Sequence, residues 1–114
     1  MDLTFHLVPQ SLFDALGADD DYIPRDFERE GFIHCTDAPE EMARVANAFY
    51  RSNPEPYYYL YIDKTRVRVP VRYDDAERRY PHIYGTLNRD AIVAIRHARR
   101  TADGAFLPPE ALDH

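Results

Sequence analysis

Met42, Val45, Ala46, Phe49 and Tyr50 recur at i, i+3, i+4, i+7 and i+8, the spacing of a single buried stripe along an α-helix. This stripe is the strongest periodic signal in the chain, and it limits what the rest can build. Asp37 and Glu40 precede it at capping-box spacing, with Pro39 tolerated in the first turn. Asn53-Pro54-Glu55-Pro56 ends it. The segments on either side read mainly as short strands, so one principal helix must pack against sheet.

Thr4 to Val8 reads as a first strand stopped by Pro9, and Ser11 to Leu16 as a short helix with Gly17 as a left-handed stop. Asp19-Asp20-Asp21 is a loop, and Pro24 to Glu30 a helical turn ending at Gly31. Phe32 to Cys35 is a short strand leading straight into the helix. Tyr57 to Ile62 is a compact aromatic and branched run suited to an interior strand. Val67, Val69, Val71 and Tyr73 alternate with Arg66, Arg68, Pro70 and Arg72, a strand with one wet face, placed at an edge because Pro70 lacks a donor. Tyr80 to Leu87, bent at Gly85, and Ala91 to Arg96, with Ile92, Val93 and Ile95 inward, complete the strands. Asp103-Gly104 is a turn, and the Pro108-Pro109 tail is extended. Without regular βαβ alternation, the expectation is an α+β fold: about six strands in antiparallel or mixed sheets with two or three helices.

At 114 residues a single domain over 1–114 is expected. No apolar run approaches ~18 residues, which excludes a membrane-spanning helix. Met1-Asp2-Leu3 has no basic character, so no secretory signal is expected. The single cysteine, Cys35, cannot make an internal disulfide, and a cytoplasmic location is the expectation. Charge is unevenly distributed. Residues 1–63 carry four basic and thirteen acidic side chains, a balance of −9, whereas 64–100 carry ten and four, a balance of +6. The net −6 disfavours nucleic acid as a partner. The basic middle reads first as a solvated strand face and second as a surface for an anionic ligand.

Two stretches carry candidate chemistry. In Phe32-Ile33-His34-Cys35-Thr36, alternation puts Phe32 and His34 on one face and Ile33 and Cys35 on the other. The following helix would bring its unpaired amides and positive dipole end beside His34 and Thr36, which suits an anion or polar ligand. In Tyr80-Pro81-His82-Ile83-Tyr84-Gly85, Tyr80, His82 and Tyr84 share a face, two aromatic rings around an imidazole, able to stack on a heterocycle and exchange a proton with a hydroxyl. Cys35 points away from His34 and reads as a small buried hydrophobe rather than a nucleophile. No metal is expected, because His34 and His82 lack further ligands at metal-binding spacing. His6, His97 and His114 receive no role. The tyrosines Tyr57-Tyr58-Tyr59 leave a homodimer open.

Gly31-Phe32-Ile33-His34-Cys35-Thr36 with Ala46-Asn47-Ala48-Phe49-Tyr50, then Tyr80 to Asn88, then Asp103-Gly104-Ala105-Phe106, resemble the signature blocks of a family of small bacterial proteins called domain of unknown function 952. The resemblance implies an ADP-ribosyltransferase-like α+β fold, related to NAD-using transferases and RNA 2′-phosphotransferases. It implies that His34 with Thr36 holds an NAD ribose and that His82 or Tyr84 packs on the nicotinamide. The late-strand glutamate usual in transferases that modify proteins is missing from Ile92 to Arg96, and Glu77 and Glu110 lie in expected loops. Arg25, Arg72, Arg89 and Arg96 stand as candidates for phosphate chemistry.

Three readings follow. In the first, NAD or a phosphorylated nucleoside binds a pocket formed by the candidate catalytic residues His34 and His82 and the ligand-binding residues Thr36, Tyr80 and Tyr84, with transferase-like activity. In the second, the same pocket belongs to a non-catalytic small-molecule-binding module. In the third, both histidines are structural, which predicts imidazoles that are buried, bonded to backbone and far apart.

Overall fold

The computed structural model describes residues 1–112. In chain order the elements are β1 (Leu3–Pro9), α1 (Gln10–Asp14), α2 (Phe27–Glu30), β2 (Ile33–His34), α3 (Pro39–Tyr50), β3 (Tyr57–Asp63), β4 (Val71–Tyr73), β5 (Pro81–Ile83) and β6 (Ile92–His97). Single 3₁₀ turns at Lys64–Arg66 and Arg89–Ala91 join the later strands. The strands form two three-stranded antiparallel sheets, ordered β1-β3-β6 and β2-β5-β4. Asp113 and His114 lie outside the described residues.

The first sheet is covered on both faces, which explains why β3 is almost continuously apolar. Leu7 and Phe5 lie opposite Tyr59 and Tyr61, and this face packs under α3 through Met42 and Ala46. On the other face Val8, Leu60 and Ile62 meet Ile33, Ile83 and Leu87 beneath the second sheet. Each of these buried aliphatic side chains contributes about 1.5–3 kcal/mol relative to exposure. The Tyr59 hydroxyl donates to the Leu107 carbonyl at 2.8 Å and the Tyr61 hydroxyl to that of Glu110, pinning the extended tail across the sheet. Arg100 closes the far end of α3. Its guanidinium donates to the carbonyls of Arg51 (2.9 Å), Asn53 (2.7 Å), Glu55 (3.2 Å) and Gly104 (3.1 Å), and it lies over the Phe106 ring.

The two sheets touch along their length at one backbone bridge. Phe5 and Thr36 exchange both hydrogen bonds, each 2.9 Å. Cys35 and Asp37 continue the pairing of β2 with the β5 side, through Pro81 and Arg79. Residue 36 therefore serves as the seam between a large sheet and a small one.

Several local expectations are corrected. Asp37 does not cap α3: Ala38 is the N-cap residue with no side-chain cap, and the Asp37 carboxylate instead accepts from Lys64 (3.0 Å) and the Tyr73 hydroxyl. The α3 stripe is buried only at Met42 and Ala46; Phe49 is 74% and Tyr50 43% exposed, because the helix outruns the sheet beneath it. Gly17 keeps φ negative, and α1 stops in right-handed geometry at Ala15, while Gly31 is the left-handed stop of α2 at φ 82°. The Val67–Tyr73 strand shrinks to β4, since residues 67–70 form no regular structure after the 3₁₀ turn at Lys64–Arg66; β4 is nevertheless an edge strand as Pro70 required. Ile95 is exposed, because β6 forms the open edge of the first sheet. Gly85 does bend the chain, at φ 154° with an added Cβ only 2.7 Å from Val69 Cγ1.

Candidate functional site: a wedge between two sheets

A ladder continued from the Phe5–Thr36 bridge would set Leu7 opposite His34. It is not continued. The His34 carbonyl is taken by the side chain of His6, whose Nδ1 lies 2.6 Å away. A carbonyl only accepts, so Nδ1 carries the proton and Nε2 accepts from the Tyr22 hydroxyl at 2.7 Å. Burial lowers the His6 pKa to about 4, outweighing the His34 carbonyl bond, so the ring is neutral at pH 7 as this pattern requires. Burial likewise pushes the Tyr22 hydroxyl far above the usual phenol range, keeping it a donor.

The interception leaves an edge free. Bonded and non-bonded pairs alternate along an antiparallel ladder, and Phe5 turns its N–H and C=O toward Thr36 rather than Tyr61. Leu7, two residues on, turns its own N–H and C=O the same way, and among the described residues neither has a partner. They face a cavity of about 530 Å³ between the diverging sheets. His6, Tyr22 and Thr36 line its base, Phe32 and His34 one side, and Met42, Val45, Phe49 and Tyr50 of α3 the other. The exposed aromatics at the end of α3 are thus its rim.

Charge in the cavity is mixed. Asp26 and Glu30 both line it and both pair with Arg29, and Glu30 also accepts from His34. Arg25 lines it as well and makes no ion pair or hydrogen bond among the described residues. The positive tip of α3, expected to serve an anion, is answered by the chain's own Glu40 and Glu41 in its first turn. Arg25 takes over as the available cation.

His34 is cross-strand partner to His82, and His82 to Arg72. The imidazole centroids are 5.4 Å apart, and Phe32 stacks on His82 at 4.0 Å. The His34 side chain is 60% and that of His82 17% exposed. The rings lie side by side and bond to side chains, Glu30 and Asp74, rather than to backbone; His34 is largely exposed and His82 largely covered. The shared hollow is corrected in one respect: His34 and Thr36 line the cavity, whereas His82 and Tyr84 lie on the adjoining sheet face behind Phe32. Asp74 joins the latter two, accepting from His82 Nδ1 at 2.9 Å and from the Tyr84 hydroxyl. Those bonds, Tyr84's first and His82's second, hold the Asp74 carboxyl below the usual range. Tyr80 stands apart from this group, its hydroxyl donating to Glu41 of α3. Cys35 is buried, and burial raises its thiol pKa well above the ordinary range, which suits a core residue. Among the described residues no group of three or more His, Cys, Asp or Glu is placed to hold a metal, and no helix is long and apolar enough to cross a membrane.

The family model described as "Protein of unknown function (DUF952)" matches residues 7–95, most of the chain, from within β1 to within β6. The chain belongs to the DUF952 family. No curated protein matches it. Among solved structures, the DUF952 chain resembles the crystal structure of protein CC0527 from Caulobacter crescentus, with a TM-score of 0.76 and 20% identity over 91% of this chain and 92% of that one. A double mutant of the same protein matches equally. Its solution NMR structure matches with a TM-score of 0.67 and 21% identity over 91% and 90%. At that identity the likeness shows the α+β fold alone.

Reading the sequence missed His6, Tyr22, Glu30 and Asp74, and named Arg25 only as one of four candidates for phosphate chemistry. The signal for His6 was present: Thr4, His6 and Val8 alternate as one inward face, and an imidazole among such neighbours must find a partner. Tyr22 and Arg25 sit in a loop with no periodicity to read.

Proposed function

We propose that the wedge binds a phosphorylated nucleoside, with NAD the leading candidate, and that His34 and Thr36 contact the ligand from one wall. The observation that carries this is the interrupted ladder: a donor and an acceptor on Leu7 face a cavity that also holds an unpaired Arg25. A carboxamide matches the first pair, a phosphate the second, and a planar ring suits the Phe32, Phe49 and Tyr50 walls. A cavity of about 530 Å³ falls within the ordinary range for small-molecule sites. The ADP-ribosyltransferase-like reading adds a role for His34 with Thr36, which would hold the NAD ribose. Isothermal calorimetry with NAD, ADP-ribose and AMP tests it. Binding should weaken about tenfold in Arg25→Ala, the loss of one charge-assisted contact. Absence of heat with all three at millimolar concentration would refute the reading.

A second reading, a binding module without turnover, is favoured by β6, which carries no glutamate from Ile92 to His97. Unchanged ligand after long incubation with purified protein would support it.

A further inference from the structure

We propose that His34 and His82 together bind a divalent transition-metal ion, zinc or copper, between adjacent strands on the outer face of the small sheet. The site stands on its own and does not depend on the nucleotide reading above.

The register places the two imidazoles side by side. The Cys35 N–H donates to the Pro81 carbonyl at 3.1 Å, and that of Asp37 to the Arg79 carbonyl at 3.0 Å. His34 and His82 lie opposite each other one residue out of step with those bonds, and so form a non-hydrogen-bonded pair. Side chains approach more closely across such a pair than across a bonded one. Ile33 and Ile83 turn into the core, which leaves the histidines on the opposite face. Their ring centres are 5.4 Å apart. A tetrahedral ion at about 2.0–2.1 Å from one nitrogen of each ring would hold the centres roughly 5 Å apart, so little movement is needed.

Each ring also keeps a lone pair for the ion. A carboxylate accepts, so Glu30 fixes the proton of a neutral His34 ring on Nε2, and Asp74 that of a neutral His82 ring on Nδ1. His34 Nδ1 and His82 Nε2 have no hydrogen-bond partner among the described residues. A carboxylate behind each imidazole is the arrangement that orients metal-bound histidines and raises their basicity. Phe32 stacks on the face of His82 at an interplanar angle of 15°, which leaves the in-plane lone pair uncovered. Glu30 and Asp74 offset the charge of the ion. Arg72, which opposes it, lies over the Tyr84 ring and 3.9 Å from Asp74. Imidazole nitrogens suit zinc and copper, whereas magnesium prefers oxygen. The described residues group no three His, Cys, Asp or Glu around one ion, so water completes the shell and the affinity falls in the micromolar range, short of a structural site.

The test titrates zinc, copper and magnesium ions into metal-free protein by calorimetry, with no nucleotide present. One zinc ion should bind per chain, copper more tightly, and magnesium should give no heat. His34→Ala and His82→Ala should each weaken zinc binding more than tenfold, and Glu30→Gln and Asp74→Asn about tenfold, the usual effect of losing a carboxylate behind a ligand. His97→Ala should leave it unchanged. Circular dichroism confirms that each variant is folded. Electron paramagnetic resonance of the copper-loaded wild type reads the site without any substitution and should show two coordinated imidazole nitrogens. No binding of zinc or copper at millimolar concentration, binding undiminished in either His34→Ala or His82→Ala, or a copper spectrum with fewer than two nitrogens overturns the proposal. None of these results bears on the nucleotide reading, which the separate titration with NAD, ADP-ribose and AMP decides.

Discussion

Acid should open the wedge through His6. Its pKa is lowered from 6.5 to about 4 in the folded chain, so between those values the unfolded chain binds the additional proton. Stability therefore rises with pH through this window and falls as pH drops from 6.5 toward 4. The full displacement corresponds to about 3 kcal/mol, and about 2 kcal/mol of it is expressed between pH 7 and pH 4.5. Protonation also removes the Nε2 lone pair that accepts from Tyr22, so that bond must reverse, the charged ring donating to the phenol oxygen. Urea unfolding at half-unit pH steps measures the effect, with His6→Asn as reference because Asn can still donate to the His34 carbonyl. Asp74, Asp75, Asp90 and Asp103 have carboxyls held below the usual range, and their losses begin at lower pH and are common to both proteins. Wild type should lose about 2 kcal/mol more than the variant over that range. Parallel stability curves would refute the account of His6 as a buried neutral wedge.

Arg100→Ala should destabilise the fold by about 2–3 kcal/mol in urea unfolding, since carbonyls at the end of α3 lose a shared charged donor. Arg100→Lys should recover only part, a point charge being unable to reproduce the fork. Gly85→Ala should lower the melting temperature through both its φ of 154° and the contact with Val69, and adding Val69→Ala should relieve only the second cost. Phe49→Ser should leave urea stability within about 0.5 kcal/mol, as expected for an exposed position, while weakening nucleotide binding in calorimetry, because Phe49 is rim rather than core.

The parts of the fold legible in the sequence were those where side-chain period and burial coincide. Alternation across Phe32-Ile33-His34-Cys35 placed each residue on its proper face, and the Tyr57–Ile62 run identified the central strand. Phe49 and Tyr50 fit the helical period equally well and are exposed, because a period reports what a helix offers and not how far its support extends. Asp37 and Glu40 had the spacing of a cap, but Lys64 and Tyr73, distant in the chain, claimed the carboxylate. The candidate site divides the same way. His34 and His82 were recognisable, and their direct pairing follows from a register that no local pattern encodes. Glu30 and Asp74 became visible only when loop and short helix were folded against the strands, which also separated Arg25 from the other candidate arginines.

The seam at Phe5 and Thr36 has a mechanical consequence. Two ladders joined at a single rung behave like the leaves of a hinge: their angle can change while every bond inside each leaf survives. Adjusting the gape for a guest then strains that reciprocal pair of amides, the His6–His34 bond and the side-chain core the sheets share, rather than the ladders themselves. Deuterium uptake at those two N–H groups becomes a gauge of the aperture, slowing whenever an occupant holds the leaves at a fixed spread.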